Sequence, residues 1–176
     1  VKNTEKINTR DLVTLSLFVA MSIILSRFLS ISTPIVRIGF SFLPITVAAI
    51  MYGTKYTVAV AAISDIIGTI LFASDFFPGF TITACITAMI YGKFLYEKPK
   101  SIKNITTTVI MVNIVELLLN TVNIYILTGQ PLWTIISMRS VQSVIMLIVK
   151  IFIIYNVSYS LASLNRYIPA YNRSSR

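Results

Sequence analysis

The stretch from Phe40 to Phe72, F-S-F-L-P-I-T-V-A-A-I-M-Y-G-T-K-Y-T-V-A-V-A-A-I-S-D-I-I-G-T-I-L-F, decides the fold. It holds two apolar runs, Phe40–Tyr52 and Tyr56–Phe72, parted only by G-T-K. A bilayer-spanning helix needs about 20 residues, so the first run is short. Pro44 lies near its start, where a missing backbone N–H costs a helix little, so it reads as a helix start and not a kink. Four more apolar segments flank this pair: Leu12–Leu29, Phe80–Tyr96, Ile105–Leu127 and Leu132–Ala162.

Composition agrees with a membrane chain. Of 176 residues, 56% are hydrophobic and only 12% charged, and mean hydropathy is +0.82. A soluble domain keeps roughly a quarter of its residues charged. The apolar residues come in blocks, which predicts an all-α integral membrane protein, a compact bundle of six transmembrane helices. The first block follows a tail bearing both signs of charge and reads as a first span, not a signal peptide. The expected organisation is a tail at 1–11, a single membrane domain at 12–162 and a second tail at 163–176.

The net charge of +9 reads as topology. Lys2, Lys6, Arg10, Lys55, Lys93, Lys98, Lys100, Lys103, Arg166, Arg173 and Arg176 fall on one side if there are six spans. The positive-inside rule then places both termini in the cytoplasm. The outer loops are Ser30–Gly39, Ala73–Gly79 and Thr128–Pro131, each with a proline turn signal.

Polar residues inside the spans need a reason, since a charge at the bilayer centre costs about 2.5–3.5 kcal/mol on insertion scales. Asn113, Glu116, Asn120 and Asn123 recur at steps of three, four and three, one helical face. Arg139, Gln142 and Ser143 share a face of the last segment, and the short link makes the two segments antiparallel neighbours. At about 1.5 Å per residue, Arg139 lies on the order of 10 Å below the outer end, close in depth to Asn120 and Asn123. These residues describe an outward-opening polar cleft. Lys150, far down the same segment, is expected to snorkel to the cytoplasmic surface. Asp65 either binds a cation or proton or pairs with a buried arginine such as Arg27, and the pair is the expectation. In D-F-F-P-G-F-T, Phe77, Pro78, Phe80 and Thr81 stand where a loop enters a span, placed to meet a flat ligand or to anchor at the interface.

An enzyme is disfavoured. There is no histidine and a single cysteine, Cys85. No two of the acids Glu5, Asp11, Asp65, Asp75, Glu97 and Glu116 lie three or four apart, and no glycine-rich phosphate loop is present, so neither a catalytic site nor a metal site is expected. Six short spans without internal repeats are small for a self-sufficient transporter. The chain reads as a binder that needs a partner to move its cargo.

The motifs R-I-G-F-S-F-L-P-I-T-V-A-A-I-M-Y-G, D-F-F-P-G-F-T-I-T-A-C-I-T-A-M-I-Y-G, L-L-N-T and S-M-R-S resemble the folate-specific S component of energy-coupling factor (ECF) vitamin transporters of Gram-positive bacteria, over roughly Leu12 to Tyr159. The resemblance implies a multi-pass binder in the plasma membrane that captures one vitamin from outside. It implies a partner module of one membrane scaffold subunit and two ATPase subunits. ATP is then used by those partners, and this chain carries no cofactor of its own. It also implies a small-xxx-small docking face on the first helix, here Ser16 and Ala20, with serine where the family usually has alanine. Near Arg139 the chain has Gln142-Ser143 where the family often has lysine-asparagine. Folate chemistry fits the residues. Arg37 and Arg139 suit the glutamate carboxylates. Glu116, Asn120 and Asn123 suit the pterin edge, and Phe40, Phe77, Phe80 and Trp133 suit its rings. The pterin is expected deep and the glutamate near the mouth, with the first and third outer loops as a lid. Thiamine, riboflavin or a pterin precursor are the alternative cargoes, and a small membrane enzyme or a ligand-free structural subunit is the alternative class.

Overall fold

The computed structural model describes residues 8–28, 30–32, 37–72, 77–96 and 101–164, with side chains described throughout except at 31, 32, 37, 38 and 161–164. Five helices appear in chain order: α1 (Thr9–Arg27), α2 (Phe42–Leu71), α3 (Pro78–Leu95), α4 (Ile102–Thr128) and α5 (Leu132–Leu164). Between α1 and α2 a short antiparallel hairpin pairs β1 (Ile31–Ser32) with β2 (Arg37–Ile38), in register Ile31↔Ile38 and Ser32↔Arg37. The all-α expectation did not include it.

The expected six separate helices are corrected to five, of which four (α1, α2, α4 and α5) are long and apolar enough to cross a membrane. The reason lies at Gly53. The G-T-K link was expected to be a turn between two spans, but Thr54 and Lys55 are helical and only Gly53 leaves helical geometry, at φ 73°, ψ −175°. This region is open essentially to glycine alone. A straight helix of 30 residues would hold its ends about 45 Å apart. Instead, both ends of α2 meet the C-terminal end of α1. A Cβ on Gly39, just before α2, would stand 3.1 Å from Ser30 Cβ, and one on Gly68 would stand 3.7 Å from Arg27 Nε. Arg27 also lies over the Phe72 ring, 5.4 Å from its centroid. The element folds back on itself, giving arms 42–52 and 54–71. Ala48 and Val60, on opposite arms, accordingly bury together with Leu15 and Phe18 of α1.

The other termini follow local chemistry. Pro78 starts α3 in the first turn, where its missing N–H is an orphan anyway. Gly129 ends α4 at φ 63°, its N–H donating to the Tyr125 carbonyl. The three-residue link that follows makes α4 and α5 antiparallel neighbours. α2 packs on α1 and α3, α3 on α4, α4 on α5, and α5 returns to α2. The main core, with Ile50, Tyr91, Leu95, Ile105, Val109, Val112, Met146 and Ile154, plugs the end of the bundle where Gly53 reverses the chain. Among the described residues, the opposite end is left open.

Two glycines hold this reversal. The Gly53 Cβ position faces the Tyr96 ring at 3.3 Å, and a Cβ on Gly92 would overlap the Thr54 backbone. Gly53→Ala is expected to lose about 1–3 kcal/mol of stability from backbone strain. Gly92→Ala is expected to lower the melting temperature at least as far, because backbone must move. Thermal unfolding in detergent measures both.

Candidate functional site

The open end leads into a cavity of about 530 Å³ bounded by all five helices. That volume suits a small organic molecule. α1 contributes Ser22, Ser26 and Arg27, and the two arms of α2 contribute Phe42 and Ile45 from one side and Ser64, Asp65, Gly68 and Thr69 from the other. Phe77, Phe80 and Tyr91 come from α3 and the residue before it. α4 adds Asn113, Glu116 and Asn120, and α5 adds Arg139, Gln142, Ser143 and Lys150.

Of the residues singled out in the sequence, Phe77, Phe80, Glu116, Asn120, Arg139, Gln142 and Ser143 therefore share one cavity. Phe77 and Phe80 stack edge to face, with centroids 5.8 Å apart, half-buried at its mouth. Arg139 is only 9% exposed. Asn113 donates to the Ser143 carbonyl at 3.2 Å and to its hydroxyl at 2.6 Å, joining α4 to α5.

Others sit elsewhere. Asn123 is buried outside the cavity lining, donating to the Thr83 hydroxyl at 3.2 Å, while its carbonyl oxygen abuts Gly79 so closely that a Cβ there would overlap it. Thr81 donates to Asp65 Oδ2 at 2.6 Å, which fixes Asp65 and consumes the hydroxyl. The described partner of the Asp65 side chain is thus Thr81, not the expected Arg27. Phe40 packs on Phe42 at the core, 6.4 Å between centroids, and Pro78 is exposed at the start of α3. Trp133, 82% exposed, faces away from the cavity. Arg37 belongs to β2, and its side chain lies outside the described residues. Ser16 and Ala20 are both exposed on α1, away from buried Leu15, Phe18 and Ser22. The Ser16 hydroxyl donates to the Leu12 carbonyl at 2.9 Å, which leaves a small, apolar-like surface.

Lys150 overturns its expectation. It does not snorkel to the far surface. It is 3% exposed and makes an ion pair with Glu116, Nζ to Oε2 2.6 Å, with the Phe42 ring 5.7 Å away. Helix direction explains this: Cα–Cβ bonds tilt toward a helix N-terminus, and the N-terminus of α5 is at the cavity end. The side chain therefore climbs toward the cavity.

Sequence reasoning also missed the cavity roles of Arg27, Tyr91 and Ser22. The Tyr91 and Ser22 hydroxyls, each on a residue 1% exposed, have no hydrogen-bond partner among the described residues. Among the described residues, the lining charges are Arg27, Arg139 and Lys150 against Asp65 and Glu116, a surplus of one positive charge. Among the described residues, no group of three His, Cys, Asp or Glu side chains is placed to hold a metal.

Residues 10–158 match the family model described as ECF transporter, substrate-specific component. A folate transporter, FolT, of Clostridium novyi (strain NT) is 37% identical over 153 residues, spanning 86% of this chain and 88% of that one. FolT of Leuconostoc mesenteroides is 37% identical over 97 residues, 54% of this chain and 52% of that one. The crystal structure of FolT bound with folic acid superposes with a TM-score of 0.83 at 23% identity, covering 87% of this chain and 95% of that one, which establishes the shared fold. The chain belongs to the substrate-specific components of ECF transporters. It is a multi-pass membrane protein of a transport system, not an enzyme.

The bonds that leave the cavity are expected to act on stability. Thr81→Val removes a hydrogen bond to a carboxylate and Asn123→Ala one between buried polar groups, so each is expected to cost about 1–3 kcal/mol in thermal or denaturant unfolding.

Proposed function

We propose that this chain binds folate with high affinity from outside the cell and delivers it inward with an ATP-driven ECF module. The observation that carries this reading is a cavity of about 530 Å³ lined by Arg27 and Arg139 in a chain that is 37% identical over most of its length to a folate transporter. Folate is a dianion at neutral pH through its glutamate tail, and arginine is the natural fork for carboxylates. Arg27 and Arg139 take the tail, with Arg37 at the mouth; Phe77 and Phe80 stand against the aromatic rings. Glu116 and Asn120 serve the pterin edge in the floor, with Gln142 and Ser143 beside them.

The orientation that fits has six crossings, the two arms of α2 counting as two, and both termini in the cytoplasm. The open end then faces outward, and Lys55, Lys93 and Lys103 lie inside, as the positive-inside rule asks. The partner is a module of one transmembrane scaffold subunit and two ATPase subunits in the plasma membrane of a Gram-positive bacterium. It docks on the α1 face at Ser16 and Ala20, where small residues permit close helix approach. ATP is hydrolysed by that module, and this chain holds no cofactor.

The test is a titration of the purified chain, without partners, against folate, riboflavin and thiamine by calorimetry. Saturable one-to-one binding of folate alone is expected. Arg27→Ala and Arg139→Ala are each expected to weaken it about 10- to 100-fold, the cost of losing a charge-assisted hydrogen bond. Binding of a different vitamin by folded protein would sink the folate assignment.

A further inference from the structure

The Glu116–Lys150 pair is asymmetric. Both residues line the cavity, but Lys150 is 3% exposed and the Glu116 side chain 30%. Lys150 is held from three sides, by its own helix α5, by Glu116 of α4, and by the Phe42 ring at the start of α2. Among the described residues it is the only hydrogen-bond partner of the Glu116 carboxylate, and it uses Oε2 alone. An ionised carboxylate offers about four lone-pair sites. Oε1 is therefore uncommitted, and Oε2 retains capacity for a second donor. The floor around the pair also carries the Tyr91 hydroxyl, buried and without a partner among the described residues.

We infer that Lys150 is a positioning residue: it holds Glu116 as a directional, acceptor-only group at the cavity floor, so that the site selects ring systems presenting two adjacent N–H donors. The 2-amino-pyrimidinone edge of a pterin has this donor pair. A carboxylate that loses the ammonium bonded to it can rotate, and that removes the preference. Lys150 is far less exposed than Glu116, so its effect on a ligand passes chiefly through Glu116. This rests on the folate reading above.

The test compares folate with its analogue in which the 2-amino group is replaced by methyl, by calorimetry on the detergent-purified full chain. The native protein is expected to prefer folate by at least about tenfold, as a site built around donor pairs does. Lys150→Met and Glu116→Gln are expected to shrink that preference to within about threefold, and Lys150→Arg to preserve it. Lys150→Met alone leaves Glu116 without its cation and is destabilised. The double variant Lys150→Met/Glu116→Gln, which removes both charges, is therefore measured beside it, with melting temperature as the folding check. Its preference is expected to equal that of Glu116→Gln.

If folded Lys150→Met, or the double variant, binds both compounds more weakly at an unchanged ratio, Lys150 is a packing residue and the inference is overturned. A native protein that binds folate without discriminating the analogue overturns it as well, and leaves the folate reading standing. Native protein that binds neither compound brings down both.

Discussion

The reversal at Gly53 is the constraint on which the rest of the bundle depends. One residue with φ 73° and ψ −175° turns a continuous helical stretch back along itself. Without it, Phe42 and Ile45 on one arm cannot line the same cavity as Ser64, Asp65 and Gly68 on the other. The reversal is enforced on both faces: Tyr96 lies against Gly53, and Gly92 lets α3 come within backbone contact of Thr54. Packing at that end is dense and apolar, through Ile50, Leu95, Ile105 and Ile154.

The cavity's electrostatics follow from helix polarity as much as from composition. α4 and α5 run antiparallel, so their Cα–Cβ bonds tilt in opposite senses. Lys150 leans toward the open end and meets Glu116 leaning the other way. Lys150 is removed from water while Glu116 stays partly exposed, and the ion pair offsets much of the desolvation cost that the buried ammonium alone would bear in full. Arg27, Arg139 and Asp65 are the other charged groups among the described residues that line the cavity.

Much of this was legible in the residues. The polar stripes on α4 and α5, the aromatic pair at Phe77 and Phe80, and the break between two apolar runs at Gly53 all read directly from spacing. What spacing could not supply was direction within a face. Asn113, Glu116, Asn120 and Asn123 count as one stripe, yet at about 100° per residue Asn123 is turned about 80° from Asn113. The two ends of that arc reach neighbouring helices, Asn113 to Ser143 of α5 and Asn123 to Thr83 of α3, and Glu116 and Asn120 between them meet the cavity. Lys150 was misread because depth along the helix was considered without side-chain tilt. Arg27 was read only as a partner for Asp65, because a basic residue at the end of an apolar segment is ordinarily an interface anchor. The β1–β2 hairpin gave no signal, since two-residue strands carry no periodicity.

The polar residues of the membrane region thus divide by what they bond. Thr81 with Asp65, Asn123 with Thr83, and Asn113 with Ser143 spend their hydrogen bonds on neighbouring helices and fix the walls. The Tyr91 and Ser22 hydroxyls spend none on the described residues, though burial without a partner costs each of them free energy. Both hydroxyls belong to residues that line the cavity, as does the Glu116 carboxylate. The wall bonds tie α2 to α3, α3 to α4 and α4 to α5, and so fix the spacing of the cavity's sides.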